Sequence, residues 1–277
     1  MAISGSATAE QMIAPPRNQQ AADVRAAIRA GSHTGHTAGF APGRLQANLA
    51  ILPASYADDF HQYCRLNPRP CPVVGKSEPG VPFIPSLGDD IDIRTDLPGY
   101  NVYRQGALES SPTDIRDLWT EEMVAFAIGC SFTFERALLD AGIRLWHIEN
   151  NKTVPMYRTS VESEKVGPFG GGTVVSMRAL PRHQVEQARE ISARYPWAHG
   201  APIHVGDPAE IGIADLYDPD WGDAPPQIGS DAVPMFWGCG VTPQNAIQNA
   251  DVPLCITHKP GCMLITDVGE FEPVSVR

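Results

Sequence analysis

Two rhythms of apolar and polar positions run along this chain. Residues 21–30 (AADVRAAIRA) set apolar side chains at helical spacing among good helix formers and stop at Gly31, which predicts a helix. The stretches 44–52 and 55–66 read as two further helices. The second carries Tyr56, Phe60, Tyr63 and Cys64 on one 3.6-residue stripe. From 67 to 112 the rhythm is lost. Prolines recur at 68, 70, 72, 79, 82, 85, 98 and 112, so this segment is expected to be extended, wrapping the core or covering a site.

Helical spacing is read again over 113–128 and 132–141, the latter stopped by Gly142, with Gly129-Cys130-Ser131 breaking the run between them. Short apolar runs at 143–148, 154–157, 173–177, 203–205, 233–237, 254–257 and 263–266 predict strands. Helices are expected at 182–194 and 244–249, the second with Thr242 as N-cap and Pro243 at its first position. The mixture predicts an α/β fold, with α+β as the alternative: a mixed sheet with flanking helices, a helical N-terminal part and a Pro-rich extended segment. Residues 1–20 read as a disordered tail and 21–277 as a single domain, two sub-domains being the alternative. No repeat of fixed period is evident in the sequence.

Composition narrows the function classes. A net charge of −11 over 277 residues argues against broad nucleic-acid binding, which needs a basic face. A local basic pocket in such an acidic chain would suit a small acid better than a polymer. No run reaches the roughly 18 apolar residues of a membrane span, and the N-terminus lacks the basic start and apolar core of a signal peptide. The expectation is a cytoplasmic protein acting on a small carboxylate, with neither nucleic acid nor membrane as partner; a homo-oligomer is compatible with the sequence. The six cysteines form no C-x-x-C pair, so a zinc knuckle is not expected.

Reactive side chains gather beside glycine or proline at the ends of the expected strands, where α/β enzymes commonly build sites. Cys130, the best nucleophile candidate, follows Gly129 where a helix begins. Free N–H groups there would lower a thiol pKa and could bind an oxyanion, which also brings in Ser131. A cysteine packed under a helix start is the plainer alternative. Arg158, beside Tyr157, and Arg178 each end an apolar strand, where a guanidinium can grip a carboxylate with two parallel bonds; an ion pair with one of the chain's many acidic residues is the competing account for each. His204 and Asp207, with His199 nearby, suit a general base and its orienting carboxylate; Asp207 capping an Asp-Pro turn is the competing account. Cys239 between two glycines marks a close backbone approach to a ligand, and His258 follows a strand at a turn. No cofactor is expected. A divalent metal on His147, His204 and His258 is the alternative, without support from spacing.

The segments AFAIGCSFTFERALLDAGI, HIENNKTVPMYRT, GPFGGGTVVSMR, HGAPIHVGDP, FWGCGVTPQ and ITHKPGCMLITD resemble a bacterial hydro-lyase family that shares its domain with D-glutamate cyclase. Upstream stretches such as GHTAGFAPGRLQANLAILP extend the resemblance to about residue 20. The chain departs from the family pattern in a more charged 160–167 and in His36. The resemblance implies a carbon–oxygen lyase and, as for the cyclase relatives, D-glutamate closing to 5-oxo-D-proline with loss of water; a dehydratase of another small hydroxy acid, or a non-catalytic small-anion-binding protein of 5-oxoproline metabolism, is the alternative. The site residues are read from the chain itself. Arg158 and Arg178 would hold carboxylates, His204 with Asp207 would move protons, and the turn at 129–131 would receive the oxyanion, with Cys130 lining it.

Overall fold

The structure, a computed structural model, describes residues 20–274. The expected tail at 1–20 therefore lies almost wholly outside the described residues. Helix α1 (Ala21–Arg29) leads into strand β1 (Arg44–Pro53), helix α2 (Ala54–Leu66) and strands β2 (Val73–Lys76), β3 (Tyr100–Arg104), β4 (Ala107–Ser110) and β5 (Met123–Gly129). Helices α3 (Phe132–Asp140) and α4 (Trp146–Glu149) precede strands β6 (Met156–Glu162) and β7 (Gly172–Pro181). Helix α5 (Val185–Ala193), strands β8 (His204–Val205) and β9 (Ala232–Gly238), helix α6 (Val241–Asn249) and strands β10 (Leu254–His258) and β11 (Leu264–Gly269) complete the order. The fold is α+β. One sheet runs β2-β5-β1-β10-β3-β4, with β11 also on β1; the other runs β6-β7-β9-β8. All recorded strand pairings are antiparallel.

Three sequence expectations are corrected. Residues 44–52 form β1, not a helix, and 113–128 form a 3-10 turn (Arg116–Leu118) followed by β5. Both strands are central and covered on both faces, so nearly every position is buried and the alternation that marks a strand vanishes. Residues 143–148, expected as a strand, contain the start of α4, a single helical turn. The Pro-rich segment does wrap the core: Ile84, Leu87, Ile91, Ile93 and Leu97 pack into the cluster built on β1 and β5.

One design occurs twice. Strand β1, α2, β2, β5 and α3 correspond in order to β7, α5, β8, β9 and α6. Leu52-Pro53 corresponds to Leu180-Pro181 at the strand-to-helix corner. The buried helix positions Phe60, Tyr63 and Cys64 correspond to Ala188, Ile191 and Ser192, and Pro68 to Pro196 beyond the helix. Gly129-Cys130-Ser131-Phe132-Thr133-Phe134-Glu135 then corresponds to Gly238-Cys239-Gly240-Val241-Thr242-Pro243-Gln244. The hydrogen bonds repeat as well. Cys130 N–H donates to the Gln46 carbonyl (3.0 Å) and Cys239 N–H to that of Val174 (3.1 Å). Gln46 N–H donates to Thr133 Oγ1 (3.3 Å) and Val174 N–H to Thr242 Oγ1 (2.9 Å). Few residue types survive in both copies, so the repetition is faint in the sequence.

The copies interlock. A Cβ on Gly129 would fall 1.5 Å from the carbonyl oxygen of Trp197, in the second copy. A Cβ on Gly238 would fall 3.0 Å from the carbonyl oxygen of Arg69, the position in the first copy that corresponds to Trp197. Each strand-to-helix turn is thus pressed against the other copy, and the two turns share one interior.

Candidate functional site

Arg178, at the centre of β7, is the charged anchor of this interior and is only 3% exposed. Its Nε and Nη2 donate to one carboxylate oxygen of Glu135 on α3, the Nε at 3.1 Å. Its Nη1 donates to Ser176 Oγ (2.9 Å) and its Nη2 to Ser131 Oγ (3.1 Å). The guanidinium lies over the Phe134 and Trp237 rings, 5.2 and 5.3 Å from their centroids. His147 Nε2, from α4, meets the same Glu135 oxygen at 2.9 Å. Burial alone would raise the Glu135 carboxyl, but the charges of Arg178 and His147 and their hydrogen bonds hold it down at about 2. A cavity of about 180 Å³, lined in part by Arg178, His147, Leu145, Pro155 and Gln227, borders the cluster.

The corresponding positions in the other copy are uncharged. Gly240 stands for Ser131, Gln244 for Glu135, Asn48 for Ser176 and Ala50 for Arg178. Asn48 donates to the Gly129 carbonyl (3.0 Å), and a Cβ on Gly240 would fall 2.2 Å from its Nδ2. His258, on β10, takes the place of a charged partner. Its Nδ1 lies 3.1 Å from Gln244 Nε2 and accepts from Leu49 N–H at 3.2 Å. Burial holds its ring down to about 4. The interior therefore has one charged half and one neutral, polar half.

The sequence-expected residues divide accordingly. Arg178, Ser131, Gly129, Cys130, Cys239 and His258 all belong to the two turns or touch them. Ser131 occupies the cap position of α3, yet its hydroxyl caps nothing and serves Arg178 instead. Thr242 is not an N-cap: Gly240 holds that position, and Thr242 lies inside α6 bonded to Val174. Cys130 is no activated thiol. Burial pushes it up to about 12, against a hydrogen bond from Phe132 N–H, and pushes Cys239 up to about 11.

Arg158 does not join Arg178. Its side chain is 60% exposed on β6, paired with Asp220 and laid over Trp221. Tyr157 is buried beside it, with its hydroxyl donating to the Leu216 carbonyl (2.6 Å). The expected His204–Asp207 dyad is also absent. The Asp207 carboxylate accepts from Ala209 N–H and caps the 3-10 turn Pro208–Ile211, while His204 Nε2 meets only the main-chain carbonyl of Asp207 (2.8 Å) and, at 3.7 Å, Glu210. Proline after the aspartate fixes that turn, and the turn consumes the carboxylate. His147, His204 and His258 each have separate partners, and no group of three or more His, Cys, Asp or Glu among the described residues is arranged to hold a metal ion. No helix there is long and apolar enough to cross a membrane.

Sequence reasoning missed Glu135, Ser176, Asn48 and Gln244 and gave His199 no separate role. The repeated Gly-Cys-x-x-Thr-x-Glu/Gln pattern was the signal that could have found two of them. His199 is buried in the left-handed conformation (φ 76°), which strains a residue with a β-carbon. Its Nδ1 lies 2.8 Å from the Arg69 carbonyl, the group that also abuts Gly238.

The family described as D-glutamate cyclase matches residues 124–267, which include both turns and the charged cluster. A protein of Dinoroseobacter shibae named "Putative hydro-lyase" is 59% identical over 260 residues, 94% of this chain and 86% of that protein. Relatives of the same name in Ruegeria pomeroyi and Bordetella petrii are 57% and 53% identical, over 92% and 91% of this chain and 92% and 96% of theirs.

Proposed function

The chain belongs to the D-glutamate cyclase family and with it to the carbon–oxygen lyases, and we propose that its own substrate is D-glutamate, closed to 5-oxo-D-proline with loss of water. The observation that carries this reading is the state of the two serine hydroxyls. A guanidinium can only donate, so Ser131 and Ser176 both accept from Arg178 and keep their own hydrogens for another acceptor. Two O–H donors beside a buried cation make a receptor for a carboxylate oxygen. Glu135 neutralises the cation and fixes its plane, so the site gains direction without a large unpaired charge.

Lactam formation needs the two ends of the substrate held at bonding distance, and rigid buried donors suit the holding of one of them. The test is incubation of the pure protein with D-glutamate, L-glutamate and 5-oxoproline, with and without EDTA, followed by chiral chromatography. Loss of primary amine from D-glutamate alone, with 5-oxo-D-proline appearing, is the expected result. Saturable binding without turnover would remove the enzyme reading. The relatives' name is wider than cyclase, so a panel of small hydroxy acids belongs in the same assay; water loss from one of these gives a new ultraviolet-absorbing double bond. Arg178→Lys keeps the charge but loses the fork. It is expected to cost about 100-fold or more in kcat/KM with the circular dichroism spectrum unchanged. Ser131→Ala, which deletes one donor, should cost about tenfold.

A further inference from the structure

We propose that His199 and His258 are catalytic residues: His199 is the proton acceptor of the reaction, and His258 is a neutral hydrogen-bond donor to the oxygen that gains charge. The assignment rests on the reading of the site as one for lactam closure, and it comes from the partners of the two rings. The Arg69 carbonyl can only accept, so His199 Nδ1 carries the hydrogen that bonds it, at 2.8 Å. Its Nε2 is left with a bare lone pair. His258 is set the opposite way. Leu49 N–H can only donate, and it points at Nδ1 (3.2 Å), as does the Gln244 amide (3.1 Å). The Leu49 carbonyl is farther, at 3.4 Å, and the two donors outweigh it. The His258 hydrogen therefore sits on Nε2.

Neither Nε2 has a hydrogen-bond partner among the described residues, and neither is among the sealed, unpartnered atoms there, which are Arg25 Nε, Gln46 Oε1, Arg189 Nε and Trp237 Nε1. Both rings border the same turn. His199 is bonded to the carbonyl against which Gly238 packs, and His258 is bonded to Gln244 on the helix that this turn begins. The backbone at His199 is held in a left-handed conformation that strains it, as at sites where a side chain must be aimed. Burial holds both rings down to about 4, the nearby Arg178 charge adding to this at His199, so both are neutral at neutral pH as the assignment requires.

The proton count closes without an outside reagent. The substrate ammonium gives one proton to His199 Nε2, and the freed amine attacks the side-chain carboxyl carbon, forming the C–N bond. The carboxyl oxygen that gains charge is met by His258 Nε2–H, which stabilises it without leaving its ring. The nitrogen then gives up a second proton. Both protons pass by way of His199 to the departing oxygen, the C–O bond breaks, and water leaves.

The decisive measurement needs no substrate. Nitrogen-15 NMR of the intact protein near neutral pH should show His199 protonated on Nδ1 and His258 on Nε2; any other pair of tautomers overturns the proposal. Turnover is then measured on whichever acid the panel shows to be consumed, so failure of D-glutamate as substrate is seen separately. Asparagine at either position keeps the contact near the backbone and removes the distal nitrogen. His199→Asn and His258→Asn should each lower kcat by about 100-fold or more. Glutamine restores a distal amide, which is a donor but not a base. His258→Gln should recover part of the rate and His199→Gln none. Ordinary rates in both asparagine variants, or equal rescue at both positions, would remove both catalytic roles.

Discussion

Glu135 shows how a single residue ties structure to chemistry. It is 4% exposed and ionised, held between Arg178 and His147. Removing its charge leaves the guanidinium buried without compensation, so Glu135→Gln should destabilise the protein by about 3–5 kcal/mol in urea denaturation. A loss under about 1 kcal/mol would mean that the pair contributes little to stability. The sequence made Arg178 visible because a lone cation ends an apolar run. Glu135 did not stand out on its own, because an acidic residue in the first turn of a helix looks like an ordinary complement to the helix dipole; only the second Gly-Cys-x-x-Thr segment sets it apart. Arg158 offered the same strand-end signal as Arg178 and proved to be a surface ion pair. What separates them is depth in the sheet, which one strand's sequence does not encode.

Among the elements, helices with one apolar face were legible: α1, α2, α3 and α5 lie close to their expected spans. Strands covered on both faces were not, since Leu45 to Leu52 and Met123 to Ile128 carry no alternation to read. The turns after β5 and β9 were legible as breaks but not as partners, because their meeting depends on the fold as a whole. Their glycines give a graded test. Gly129→Ala forces a methyl group onto the Trp197 carbonyl at 1.5 Å, while Gly238→Ala brings it to 3.0 Å from that of Arg69. The first should cost several kcal/mol or abolish folding, and the second about 1–3 kcal/mol. Equal melting temperatures for the two variants would contradict this packing.

For the molecule as a whole, the buried titratable groups set the response to pH. His199 and His258 sit at about 4 when folded against an ordinary 6.5, so they favour the folded state above 6.5 and that benefit is lost as pH falls toward 4. Glu135, at about 2 against 4.5, contributes above 4.5 and loses its contribution as pH falls toward 2. The melting temperature should therefore decline below pH 6.5 and more steeply below 4.5. His258→Asn should flatten the first decline, and a slope unchanged from wild type would argue against a buried neutral ring at that position.

The doubling of one β–α–β–β–α design within a single chain has a further meaning. Two identical half-length subunits meeting on a true two-fold axis would place the same groups on both sides of their shared interior. Any Arg–Glu pair would face its twin, and a substrate whose two ends differ would meet the same welcome at each. Covalent linkage frees the copies to drift apart in sequence. One turn has serine and glutamate and is opposed by arginine, while the other has glycine and glutamine and is opposed by histidine. The chain thus carries a polarity across this interior that a strictly symmetric pair could not hold.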